Sequence, residues 1–150
     1  MIRGNYVDLV ASSAPVTLAG GGVLAAVGGA FATHRSSRLS LELRYTPADP
    51  AGRLLINVRV ASLTPDEDGT DPSFAARYMS LRTTDPASYA AGRIDLDPLV
   101  WRFPASTAGV EVRYLLENID VLPGSWAVVY AADEHASPGT LSLSYALARP

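Results

Sequence analysis

The densest set of groups able to do chemistry lies in a polar stretch where Asp66, Glu67, Asp68 and Asp71 gather around Gly69. Carboxylate oxygens at this density could hold calcium. An EF-hand loop starting at Asp66 would need a bidentate Glu at its twelfth position, and Arg77 stands there. The ordinary reading is therefore a solvated loop, with calcium at Asp66–Asp71 the one cofactor left open. A second group is Gly20-Gly21-Gly22-Val23-Leu24-Ala25, which follows the apolar Val16-Thr17-Leu18-Ala19. Glycines after a strand can let a backbone approach a pyrophosphate, with an acidic residue such as Glu42 about twenty places on. That reading needs a crossover helix and a parallel sheet, and the rest of the chain predicts neither.

His34 and His135 are the only histidines, and their spacing forms no zinc motif. Asp95 and Asp97 share one face of a short segment, with Asp120 elsewhere. Paired carboxylates can hydrolyse glycosides, but surface strand positions account for these. The sequence contains no G-x-S-x-G elbow and no P-loop. The expectation is a protein that is not an enzyme, with no catalytic or metal-binding residues.

The elements that would position these groups are strands. Leu39, Leu41, Leu43 and Tyr45 alternate with Arg38, Ser40, Glu42 and Arg44. After the turn chemistry of Pro47–Gly52, Leu54, Ile56, Val58 and Val60 alternate with Leu55, Asn57, Arg59 and Ala61. A period of two is the strand period, and these two runs read as an antiparallel pair. Trp126, Val128 and Tyr130 alternate with Ala127, Val129 and Ala131, and Leu141, Leu143, Tyr145 and Leu147 with Ser142 and Ser144. The polar link Asp133–Pro138 makes a hairpin or a connection between two sheets. Shorter strands are expected around Tyr6–Val10, Pro15–Leu18, Arg77–Arg82, Ile94–Phe103 and Val110–Glu117. Short strands with Pro- and Gly-containing links predict an all-β antiparallel β-sandwich or jelly roll.

The 150 residues suit one domain, and the net charge of −3 supplies no basic field for nucleic acid or an anionic membrane. All twelve basic residues are Arg, and Cys and Gln are absent. A GC-rich genome explains this bias, and a hot source, hence a thermostable protein, is a second explanation. The absence of Cys excludes disulfides and thiolate metal sites. Val16–Ala32 is apolar, and Ala30-Phe31-Ala32 imitates a signal-peptidase site, but Asp8 and the glycines argue against a leader.

Residues 1–36 differ from residues 37–150, being rich in Gly, Ala and Ser. They read as an N-terminal Gly/Ala-rich arm ahead of the sandwich. Tyr6, Leu9, Val23, Leu24, Val27 and Phe31 would bind a partner, and Trp101 would serve as core or as an interface anchor. The alternative is an edge strand and a glycine loop folded back on the same domain. The outer faces, with Leu55, Ala61, Leu115 and Val129, are less polar than a monomer needs.

The layout of Gly/Ala-rich arm, Cys-free sandwich and closing Pro123-Gly124-Ser125-Trp126 … Pro138-Gly139-Thr140-Leu141-Ser142-Leu143-Ser144-Tyr145 hairpin resembles the head-decoration (cement) proteins of tailed bacteriophages. The resemblance implies a non-enzymatic homotrimer on the outside of the virion that binds a major capsid protein and stabilises the capsid. A carbohydrate-binding or adhesin-like module is the competing class.

Overall fold

The computed structural model describes residues 6–61, 79–80, 100–121 and 123–148. Among these the chain forms strands and no helix. The strands are β1 (Val7–Val10), β2 (Val16–Thr17), β3 (Ala25–Ala32), β4 (Arg38–Thr46), β5 (Leu54–Ala61), β6 (Met79–Ser80), β7 (Trp101–Arg102), β8 (Val112–Asp120), β9 (Trp126–Asp133) and β10 (Thr140–Leu147). Sheet A runs β1-β10-β4-β8, with β2 continuing the edge beside β10. Sheet B runs β3-β9-β5-β6, with β7 also on β5.

The early half of the chain pairs with the late half in reverse order. β1 lies antiparallel to β10, β3 to β9, β4 to β8, and β5 to both β6 and β7. A ribbon paired in this way and rolled into two sheets is a jelly roll. The all-β sandwich expectation holds, and the pairing refines it.

The inner faces follow the alternation. Leu39, Leu41, Leu43 and Tyr45 of β4 meet Leu54, Ile56, Val58 and Val60 of β5 across the gap, with Leu141 and Leu143 of β10 beside them, all buried in one cluster. These two runs do not pair, as the sequence reading had them, because they sit in different sheets. Of the two readings of the Asp133–Pro138 link, the connection between sheets holds, since β9 and β10 lie in different sheets.

The orientation of β9 also differs from expectation. Ala127, Val129 and Ala131 point into the core, and Val128 and Tyr130 form a second buried cluster with Trp126 and Leu24 on the other face. Val129 is thus no outer-face residue. Sheet A fills the gap with leucines and Tyr45, so the facing strand needs small side chains to reach interior packing density.

Residue 36 is not a boundary between arm and domain. From residue 6 onward the segment supplies β1 and β2 to sheet A and β3 to sheet B. Val10, Leu18, Val27 and Phe31 lie in the main core. The glycines that spoil a helix are accommodated in β3 by an irregularity between Val27 and Phe31. Gly28 there has φ of 69°, and a Cβ at that position would sit 3.0 Å from the Leu9 Cβ, so the glycine lets β1 pass close.

Candidate functional site

Among the described residues, polar side chains gather in several places built by the roll, and three of them centre on charged groups. The first is the end of the sandwich where β4, β9 and β10 meet their loops. Asp133 closes β9 and is fully buried (0% exposed). Its Oδ2 accepts from the Tyr45 hydroxyl at 2.6 Å and the Gly139 N–H at 2.9 Å. Its Oδ1 accepts from the His135 N–H at 2.9 Å and the Arg53 N–H at 3.3 Å. A buried carboxylate is tolerated when its lone pairs are filled in this way. The β4–β5 and β9–β10 loops are thereby tied to one residue.

Tight packing surrounds this carboxylate. A Cβ on Gly139 would lie 2.3 Å from the Thr46 carbonyl oxygen, and one on Gly52 would lie 2.7 Å from the Tyr45 hydroxyl. Burial, then the hydrogen bond to Asp133 and its charge, push the Tyr45 hydroxyl far above the ordinary tyrosine range. On the rim, Arg102 donates to both oxygens of Glu134 at 2.6 and 2.8 Å. Those bonds hold the Glu134 carboxyl below its ordinary value and raise Arg102.

The Gly20–Ala25 run belongs to the same end. The Gly21 and Gly22 N–H groups donate to the carbonyls of His135 and Asp133, at 3.1 and 2.9 Å. Gly21 and Gly22 have positive φ, and a Cβ on Gly20 would press on the Ala136 carbonyl at 2.8 Å. The run leads into the strand β3, not a helix. Its glycines bring the chain against the β9–β10 loop, and no phosphate cradle results.

The second place is the outer face of sheet A. Arg44 donates from Nε to Ser142 Oγ at 2.9 Å and from Nη2 to Ser144 Oγ at 3.3 Å, and its Nη1 lies 3.5 Å from Glu42. Ser144 Oγ donates in turn to Asp8 at 2.6 Å. This seam crosses β4, β10 and β1 and fastens the N-terminal strand to the sheet. The third place is the outer face of sheet B. Arg59 is only 5% exposed, stacks 3.7 Å above the Tyr130 ring and donates to Asn57 at 2.9 Å. A guanidinium over a ring is attracted by its quadrupole.

The residues named from sequence scatter over this frame. Val27 and Phe31 pack in the molecule's own core, the Phe31 ring stacks on Tyr145 at 4.0 Å, and Leu9 packs half-buried against that core. Tyr6 is half-buried, Leu24 packs beside Val128 and Tyr130, and Val23 alone of the six is largely exposed, at 68%. Val27 and Phe31 cannot therefore serve a partner while the roll is intact. Trp101 lies on β7 opposite Ile56, half-buried against the core. Glu42 belongs to the Arg44 seam, His34 is exposed in a turn at φ of 53°, and Asp120 is exposed at the end of β8. The Asp66–Asp71 loop, with its calcium reading, lies outside the described residues, as do Asp95 and Asp97. Among the described residues no group of three His, Cys, Asp or Glu side chains could hold a metal.

Asp133 was not singled out by the sequence. Its signal was a single carboxylate ending the apolar run Val128–Ala132, six residues before a glycine. No family model, no curated protein and no solved structure matches this chain.

Proposed function

We propose that this chain is a non-enzymatic structural protein of a phage particle, seated on the outside of the capsid and bracing it through contacts with a capsid subunit. The observation that supports this reading is where the polar groups are used. Among the described residues, the one fully buried carboxylate, Asp133, has both oxygens occupied by donors from β4 and the adjoining loops. Arg44 is committed to the seam that holds β1 in place. A catalytic group must instead keep a face open to its substrate. Jelly rolls occur in viral capsid and in lectin domains, and fold alone decides neither. What inclines the proposal to the first is the resemblance of the sequence to head-decoration proteins, carried by its Cys-free sandwich and not by an arm.

Attachment through a detached N-terminal arm is not part of this proposal, because β1–β3 are members of the two sheets. Attachment then falls to the exposed surface, where Val7, Val23, Val110 and Leu115 are, among the described residues, the large apolar side chains left in solvent.

The test is to add the purified protein to heads lacking it and to measure co-sedimentation and the temperature at which heads rupture. Saturable binding with a raised rupture temperature is the expected outcome. Failure to bind heads, with saturable binding on a glycan array, would replace this reading with the carbohydrate-binding one.

A further inference from the structure

We propose that two copies of this chain join β8 to β8, antiparallel across a twofold axis, so that sheet A runs through both molecules. β8 ends sheet A, and among the described residues it pairs with β4 along one edge only. It is nine residues long and contains no proline. Val112, Tyr114 and Leu116 lean toward the core, half-buried, and Arg113, Leu115 and Glu117 stand exposed on the outer face. Leu115 is 44% exposed. Proteins ordinarily blunt a long free edge of this kind, because its unpaired N–H and C=O groups template another strand.

The occupant follows from the charge pattern. In an antiparallel pair, directly opposed residues share a face of the sheet. With the twofold axis at Leu115, that leucine meets its own copy and Arg113 meets the partner subunit's Glu117. Tyr114 then meets the partner subunit's Leu116 on the inner side. Moving the axis to Tyr114 opposes Glu111 to the partner subunit's Glu117, and moving it to Arg113 opposes Arg113 to itself. An axis at Leu116 would set Arg113 against Ile119 and Glu117 against Leu115, with no charge paired. Like charges directly opposed are unfavourable and opposite charges favourable, so the charge pattern favours Leu115. Arg113 already has Glu111 3.5 Å away in its own strand, so the guanidinium would lie between two carboxylates. The ladder ends at an irregularity between Leu116 and Ile119, where Asn118 takes a positive φ of 59°. A bulge there bends the strand away and limits the contact to a short ladder. A like-to-like contact of this kind closes at two subunits, whereas the phage resemblance implies three. The inference does not depend on the particle-bracing role.

Sedimentation velocity over a concentration series tests it. The native protein should pass from monomer to dimer between low and high micromolar concentration. Arg113→Glu and Glu117→Arg should each weaken dimerisation about tenfold, since two opposed pairs are lost per dimer. The double exchange Arg113→Glu with Glu117→Arg should restore it, because the opposed pairs re-form with signs reversed. A native protein that stays monomeric, a trimer, or a double variant as weak as the singles would overturn the proposal. The chain has no Cys, which gives a readout independent of these charges. Leu115→Cys should yield a covalent dimer on mild oxidation, and Val23→Cys, more exposed still, should not. Equal cross-linking at both positions would also overturn it.

Discussion

The two ends of the sandwich solve one problem with different chemistry. At each end, loops that cross between the sheets must satisfy backbone groups shielded from water. The β9–β10 end does so with a full charge, Asp133, whose oxygens take four donors from three segments. The opposite end uses neutral hydroxyls. Thr33 Oγ1 accepts from the Ser125 N–H at 3.0 Å and lies 3.1 Å from the Ser125 carbonyl, to which it donates. Ser36 Oγ donates to the Ala148 carbonyl, and the Val121 N–H reaches the Ser37 carbonyl at 2.9 Å. Hydrogen bonds to a charged group contribute about twice as much as neutral ones. Losing the charge strands more donors than losing a hydroxyl.

The largest effect is therefore expected at Asp133. Asp133→Ala removes the acceptor from four donors at once and should lower stability by about 3–5 kcal/mol, read by denaturant unfolding. Thr33→Val keeps the shape but leaves the buried Ser125 N–H without that partner, and should cost about 1–2 kcal/mol. Equal losses at the two positions would remove the distinction between the ends.

Alkaline pH separates the ends by titration. Tyrosine ionises near 10 in an unfolded chain, and Tyr45 is raised well above that by burial and by Asp133. The folded state keeps a proton that the unfolded chain releases. The contribution of Tyr45 is thus complete below about pH 10 and is lost as pH rises beyond it. Tyr114, raised by burial, acts in the same direction. The chain has no Lys or Cys, so tyrosines are the side chains that titrate in this range. Tyr45→Phe should cost about 1 kcal/mol at neutral pH and flatten the alkaline fall in unfolding free energy. Thr33→Val should leave that slope unchanged. A slope unaltered by Tyr45→Phe would mean that the hydroxyl ionises freely.

The same contrast shows how far the sequence could be read. Alternation located β4, β5, β9 and β10 because each repeats an apolar side chain at every second place. It could not name their neighbours, since a period of two says which face is buried and nothing about which strand lies alongside. β4 and β5 therefore looked like a pair. β9 misled in a second way: both of its faces are apolar, and only the bulk of the facing leucines decides that Val129 points inward. β3 was hidden by Gly28 and Gly29, which lower strand and helix propensity alike. Asp133 was legible as a residue but not as a hub, because two of its four donors come from positions 45 and 53, brought to it only by the roll. The self-complementary Arg113-Leu115-Glu117 pattern is present in the sequence, and its meaning depends on β8 lying at an edge.

The smallest effect is expected on the rim of the charged end. Arg102 meets Glu134 through two short bonds, a geometry that would count for much in the interior. Both side chains are exposed, however, at 55% and 41%, so water and salt screen their attraction. Glu134 is held below its ordinary value by Arg102, so its contribution is present above the ordinary carboxylate range and is lost as pH falls through the lowered value. Arg102→Ala should shift the melting temperature slightly at neutral pH and low salt. The shift should vanish in molar salt, and again at acid pH where Glu134 is protonated. The Asp133→Ala loss should survive molar salt, because that carboxylate is shielded from ions. If the Arg102→Ala shift also survived, the rim pair would be holding β7 against β5, and the charged end would extend outward from Asp133 to Arg102.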